Sequence, residues 1–295
     1  MSYQSGFVSV VGRPNVGKST LLNRIIGEKI TIVSDKPQTT RNKIQLIYTQ
    51  ENAQIVFLDT PGIQEPKNKL GTYMLGVSKN TLNDVDVILF LVEPGPVFGP
   101  MDRMILEMLE TIDTEVILLL NKTDTVTEEE TQRLLSAYRA YDRFLHVLPI
   151  SALEGQGVED FMQILIAALP EGPQYFPDDM ITDQPEKFIA AELIREKAML
   201  HLREEIPHGI VVEILSMKPR AGTDIVEIEA NVFVEKKSHK GMVIGKGGQM
   251  LKTIGTEARM DIQRLLGSRV HLQLWVKVAD RWRNEAARLR EFGYK

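Results

Sequence analysis

Eight consecutive residues, Gly12-Arg13-Pro14-Asn15-Val16-Gly17-Lys18-Ser19, restrict the fold more than any other stretch of the chain. They fit the spacing G-x-x-x-x-G-K-[ST], which builds a phosphate-binding loop when a strand precedes it and a helix follows. Gly6–Val11 is a short apolar, β-branched run that reads as a buried strand. Thr20–Gly27 reads as a helix closed by glycine. Gly12 and Gly17 let the backbone curl so that successive N–H groups, those of Asn15, Val16 and Thr20 among them, point into one hollow at the positive end of that helix. Lys18 then reaches the β- and γ-phosphates of a nucleotide, and the Ser19 hydroxyl can ligate Mg²⁺.

The following residues alternate strand and helix. The clustered polar residues and proline of Ile30–Arg41 mark a loop. Lys43–Thr49 and Gln54–Leu58 read as a hairpin whose second strand delivers Asp59-Thr60-Pro61-Gly62. A carboxylate at the C-terminal end of a buried strand sits where open α/β sheets bind ligands. Asp59 can therefore hold the Mg²⁺ shell, and the Gly62 N–H can approach a γ-phosphate. Helices are expected over Leu70–Asn83, Met101–Ile112, Thr127–Asp142 and Gly157–Leu169, with strands over Val85–Val92, Glu115–Leu120 and Phe144–Ile150. This predicts a doubly wound α/β sheet with one antiparallel hairpin.

The strand at Glu115–Leu120 leads into Asn121-Lys122-Thr123-Asp124. An ionised Asp124 only accepts hydrogen bonds. It matches the adjacent N1–H and N2–H₂ donors of guanine and opposes the N1 lone pair of adenine. A buried polar mismatch of this kind discriminates by a factor on the order of 10⁴. Asn121 and Lys122 would brace neighbouring loops and cover the base. Backbone N–H groups of Ser151-Ala152-Leu153 could meet the guanine O6; Ser151 as a helix N-cap explains that turn equally well.

Together these segments resemble the five guanine-nucleotide motifs of the translation-factor-like class of small GTPases: Gly12–Ser19, Thr39/Thr40, Asp59–Gly62, Asn121–Asp124 and Ser151–Leu153. The resemblance implies Mg²⁺ held by Ser19, Asp59 and a threonine of the Gln38-Thr39-Thr40-Arg41 loop, Thr40 ahead of Thr39. It assigns Lys18, Thr40 and Gly62 to catalysis. Ras-like enzymes carry a water-orienting glutamine directly after Asp-x-x-Gly. Here that residue is Ile63, so slow hydrolysis is expected, at roughly 10⁻⁴ to 10⁻² s⁻¹. Some relatives use the asparagine corresponding to Asn15 to hold a potassium ion; an asparagine bonding its own loop is the alternative.

The total charge of −5 conceals an asymmetry. Residues 1–180 hold fifteen Lys and Arg against twenty-four Asp and Glu, and residues 181–295 hold twenty against sixteen. An acidic front and a basic rear point to a polyanion-binding module behind. The chain divides by composition into residues 1–170, a Pro-rich linker over 171–184, and 185–295. In the rear part, a helix over about Pro185–Glu205, strands Gly209–Met217 and Asp224–Glu235, a short helix, the loop Gly245-Lys246-Gly247-Gly248, a helix Gln249–Leu266 and a strand Arg269–Val278 follow in order. A GxxG loop between two helices resembles the K-homology domain of type II, an α+β fold that clamps about four nucleotides of RNA. Lys236, Lys237, Lys240 and Lys246 would supply countercharge, and Val243 and Ile244 an apolar floor for the bases.

Neither a signal peptide nor a membrane-spanning run is expected, with no basic stretch and apolar core near Met1–Ser5. The absence of cysteine leaves disulfides and thiolate zinc sites out. The basic amphipathic tail Asp280–Lys295 could lie on a membrane; packing on its own sheet is favoured. The leading reading is a cytoplasmic, monomeric, GTP-switched RNA-binding factor. The resemblance implies the 3′ end of small-subunit ribosomal RNA as its RNA and assembly of that subunit as its process. A GTPase signalling at the inner face of the membrane, with its rear domain serving protein contacts, is the alternative.

Overall fold

Strands β4 (Val87–Val92) and β5 (Glu115–Leu120) are near-continuous apolar runs because the sheet they build is covered on both faces; every residue of β4 is buried, as are five of the six in β5. The computed structural model describes Tyr3–Tyr294, so Met1, Ser2 and Lys295, at the ends of the leader and tail readings and of the outer domains, lie outside the described residues. The chain divides into two compact units. The first runs through Thr31, then Thr40–Glu65 and Met74–Asp183; the second holds Ile32–Thr39, Pro66–Tyr73 and the chain from Gln184 on.

The first unit is built on a six-stranded sheet in the order β2-β3-β1-β4-β5-β6. Its strands are β1 (Gln4–Gly12), β2 (Ile44–Gln50), β3 (Ala53–Asp59), β4, β5 and β6 (His146–Pro149), with only β2 antiparallel to its neighbour. Helices α1 (Lys18–Ile26), α2 (Lys69–Asn80, in this unit from Met74 on), α3 (Pro100–Leu109), α4 (Glu128–Arg139) and α5 (Val158–Ala168) connect them. Alternate residues Ile88, Phe90, Val116 and Leu118 pack with Ile105 and Leu109 of α3 and Leu134, Leu135 and Tyr138 of α4. The strand order reverses beside β1, so the loop after β1 opens at the crevice where such sheets bind ligands.

Residues 171–183 do not hang free as a linker. Gly172 N–H donates to the Tyr3 carbonyl at 3.1 Å and Ile47 N–H to that of Ile181 at 2.9 Å. Thr182 bridges Leu46 in antiparallel fashion. The segment thus covers the outer edge of β2, which would otherwise present unpaired backbone.

The second unit has the order α6 (Glu186–His201), β7 (Val211–Pro219), β8 (Ile225–Val234), α7 (Lys237–Ile244), α8 (Gln249–Leu266), β9 (Arg269–Val278), α9 (Ala286–Glu291). Its sheet runs β7-β8-β9, antiparallel then parallel. Gly255 lets α8 approach β9: a Cβ there would lie 3.3 Å from the Leu274 side chain. The tail is a single turn at Trp282–Asn284 followed by the six-residue α9, shorter than the helix expected from its amphipathic pattern. Trp282 and Leu289 of that tail are buried within the unit. No helix among the described residues is long and apolar enough to cross a membrane.

Candidate functional site

The loop after β1 folds as its glycines require. Gly12 and Gly17 take φ of 156° and 104°, and Asn15, a residue that tolerates the left-handed region, takes 65°. Lys18 is 6 % exposed, and its Nζ donates to the carbonyls of Gly12 at 3.2 Å and Arg13 at 2.9 Å. Burial pulls its pKa down to about 8, opposed by the nearby Asp59 carboxylate. Burial pushes Asp59 up to about 6, while Lys18, Ser19 and Thr40 act to lower it.

Three oxygens converge at the end of β3. Ser19 Oγ lies 3.1 Å from Thr40 Oγ1 and donates to Asp59 Oδ2 at 3.2 Å; Thr40 Oγ1 donates to the same oxygen at 3.4 Å. Thr39 turns elsewhere, its hydroxyl donating to the Lys36 carbonyl at 2.6 Å. Asp59 Oδ1 is buried with no hydrogen-bond partner, a costly state that a divalent cation would relieve. Two hydroxyls and a carboxylate are the hard oxygen donors Mg²⁺ takes. The residues fit the ion the sequence implies, with Thr40 rather than Thr39 in the cluster.

Asp-x-x-Gly closes over the phosphate loop. Ile63 N–H donates to the Gly12 carbonyl at 3.1 Å, and a Cβ on Gly62 would lie 2.7 Å from Pro14 N. No larger residue fits at Gly62 without displacing the loop. Ile63 is fully buried and packs in the same core cluster as Val11, Leu82 and Ile88. It is a core residue and has no contact with water to orient.

The base-side loops are joined by polar links. Asn121 Nδ2 donates to the Val16 carbonyl at 2.8 Å, and its Oδ1 accepts the Ala152 N–H at 2.8 Å. Lys122 Nζ donates to the Asn15 carbonyl at 2.8 Å. Ser151 Oγ donates to Asp124 Oδ1 at 2.5 Å and accepts Glu154 N–H at 3.1 Å. Ser151 is not a helix N-cap, because α5 begins only at Val158 behind Gly157. Its N–H donates to Gln156, so its contribution at the base is the hydroxyl that orients Asp124. Arg24 of α1, unremarked in the sequence, donates through Nε to the Ala152 carbonyl at 2.6 Å and fixes this turn from below.

In the second unit, Lys236, Lys237, Lys240 and Lys246 are exposed around the GxxG loop. Gly245, Gly247 and Gly248 have φ of 73°, 59° and 79°, which explains the glycines. Val243 corrects the expected apolar floor: it is wholly buried under the loop, since the phase of α7 turns it inward, and it offers no surface to a base. Ile244 is half-buried, and Met242, 54 % exposed, is the apolar side chain at the surface. Beside the loop lies an open groove of about 540 Å³, lined by Gly248, Leu251, Lys252, Gly255, Thr256 and Arg259 of α8 and its start, and by His271, Leu272 and Leu274 of β9. The sequence reading missed Lys252, Arg259 and His271. Their signal was the helical stripe at 248, 251, 252, 255, 256 and 259, which sets small residues at 255 and 256 between the cations Lys252 and Arg259.

Comparison with known proteins agrees with this layout. The profile of the family described as "50S ribosome-binding GTPase" matches residues 7–122, and that described as "KH domain" matches residues 205–283. The chain is 56 % identical to the GTPase Era of Alkaliphilus metalliredigens over 295 residues, covering all of both chains. It is 52 % identical to the GTPase Era of Clostridioides difficile, with 99 % of each covered. Among solved structures it is similar to an Era crystallised with MgGDPNP and nucleotides 1506–1542 of 16S ribosomal RNA, at 40 % identity and a TM-score of 0.96, with 99 % of each chain covered. An Aquifex aeolicus Era variant bound to GDP and AlF₄⁻ superposes with a TM-score of 0.95 at 39 % identity, again over 99 % of each.

Proposed function

This chain belongs to the GTPase Era family, and we propose that it is a GTP-timed RNA-binding factor that engages the 3′ end of small-subunit ribosomal RNA and assists assembly of that subunit. One observation carries the reading. The chain holds both a nucleotide seat, where Asp59 meets Ser19 and Thr40 through Oδ2 and keeps Oδ1 buried without a partner, and a basic groove beside a GxxG loop. A relative 40 % identical over its whole length was crystallised with both a GTP analogue and that RNA.

In this reading Gly12–Thr20 binds the phosphates, Lys18 countering the charge that develops on the γ-phosphoryl group. Ser19, Thr40 and Asp59 would hold Mg²⁺, which would supply positive charge against the phosphate oxygens. Asp124, held by Ser151, selects guanine; Asn121 and Lys122 keep the base loop against the phosphate loop. The Gly62 N–H faces the γ-phosphate from the position its missing side chain makes available. With Ile63 in the core, no side chain there orients water, so GTP is held longer than it is turned over. The protein works in the cytoplasm. Trp282 and Leu289 are spent on its own core, which leaves the tail no apolar face for a bilayer.

An ion can complete the hydrolytic site. Asn15, in the left-handed conformation within the phosphate loop, is the residue we assign to potassium. Turnover is expected to be faster in potassium than in sodium at equal ionic strength; equal rates would remove the ion from the scheme.

The RNA surface is tested on the loop itself. A side chain at Gly245 would strike Met250 at 2.6 Å, but Gly247 opens on free space. Aspartate tolerates the left-handed backbone there, so Lys246→Asp/Gly247→Asp changes charge without crowding. Binding of an oligomer of the rRNA 3′ end should weaken by about tenfold or more, with the salt slope reduced by about one. Unchanged binding, with urea unfolding of the second unit followed by its tryptophan fluorescence as the folding control, would overturn the assignment of RNA to this loop.

A further inference from the structure

Two loops of the nucleotide seat each place a non-glycine residue in the left-handed region, Asn15 at φ 65° and Lys122 at φ 64°. Asparagine visits that region readily; a lysine stays there only where its surroundings over-determine it. A row of alternating charges does so. Asp102, in the first turn of α3, is 1 % exposed, and its Oδ1 lies 2.9 Å from Arg13 Nε. Arg13 Nη2 lies 3.3 Å from Glu93 Oε1, and Glu93 Oε2 lies 2.5 Å from Lys122 Nζ. Lys122 Nζ closes the row on the Asn15 carbonyl at 2.8 Å. Exposed ion pairs are worth little one at a time, but this row is a network anchored on a buried carboxylate.

Glu93 stands in the middle of it. It follows β4 directly, between the two loops, and spends one oxygen on the cation of each. We propose that Glu93 is a positioning residue: by sharing its carboxylate between Arg13 and Lys122 it fixes the spacing between the phosphate loop and the Asn121–Asp124 loop. That spacing sets how tightly a ligand reaching both loops is held. A nucleotide reaches both, phosphates at one end and guanine at the other. A polyphosphate without a base reaches only the first, so it is indifferent to the spacing. The inference rests on the nucleotide seat proposed above.

The test compares GDP with inorganic tripolyphosphate on the full chain. Glu93→Gln keeps the shape and removes the charge. It is expected to raise the Kd for GDP about tenfold and to change that for tripolyphosphate less than twofold. Asp102→Asn, which loosens the far end of the row without altering a residue of the phosphate loop, should give the same pattern and decides the matter if Glu93→Gln fails to fold. GDP affinity within twofold of wild type, or proportional loss of both ligands, would overturn the proposal, the second because it would mean a general collapse of the phosphate loop. Lys18→Ala separates the underlying reading: it should weaken both ligands, and if it weakens neither, the seat itself is misplaced.

Discussion

Asp124→Asn is expected to exchange the preference for guanosine nucleotides for one for xanthosine nucleotides, with GDP affinity falling by a factor on the order of 10⁴. The geometry dictates the direction. Ser151 Oγ donates to Asp124 Oδ1 at 2.5 Å, and it would pin the amide oxygen of an asparagine in the same place. The amide nitrogen, a donor, then takes the position of Oδ2. Guanine brings N1–H and N2–H₂ to that side, so donor would face donor, and a group desolvated without a partner costs its full hydration. Xanthine carries an oxygen at C2, which accepts. Competition between GDP and XDP, followed calorimetrically in wild type and variant, reads the exchange. If the variant kept its preference for GDP, Asp124 would not be the residue that reads the base. Ser151→Ala supplies a further check within the same assay: the exchange should become incomplete, because nothing would then fix which end of the amide faces the base.

Much of the nucleotide seat was legible because its signals are local. Gly12–Ser19, Asp59–Gly62 and Asn121–Asp124 each lie at the end of a strand whose apolar run is itself readable, and the register β3-β1-β4-β5 brings those ends together. The choice between Thr39 and Thr40 was not local. It depends on which hydroxyl the loop turns toward Ser19 and Asp59, and adjacent residues in an irregular segment have no periodicity to decide it. Val243 shows the same limit in another form: eight residues of α7 carry too short a pattern to set the helical phase, and the phase put the valine inside. Glu93, Arg13 and Asp102 are three charged residues at separations of 80 and 9 in the sequence, each unremarkable alone. Only the fold makes them a row.

The tail gives the second large effect. Trp282→Ala is expected to destabilise the second unit by about 3–5 kcal/mol, the usual cost of truncating a buried tryptophan. The indole is 0 % exposed, and its Nε1 donates to the Gly209 carbonyl at 2.8 Å. It stacks on Tyr294 with centroids 5.8 Å apart and meets Phe292 edge-on at 5.4 Å. Phe292 in turn packs on Phe233 of β8 at 5.0 Å, so the indole's aromatic neighbours carry the tail onto the sheet. Losing it would remove apolar burial and a satisfied indole together and leave the Gly209 carbonyl without its donor. The variant keeps one tryptophan, Trp275 on β9, whose fluorescence reports urea unfolding of this unit alone. GDP affinity, measured on the same protein, should remain at the wild-type value because no residue of the nucleotide seat lies in this tail. A loss below about 1 kcal/mol would mean that the tail is dispensable to the fold. Its tryptophan and leucine would then be free for another surface, and the membrane reading of this basic segment would return.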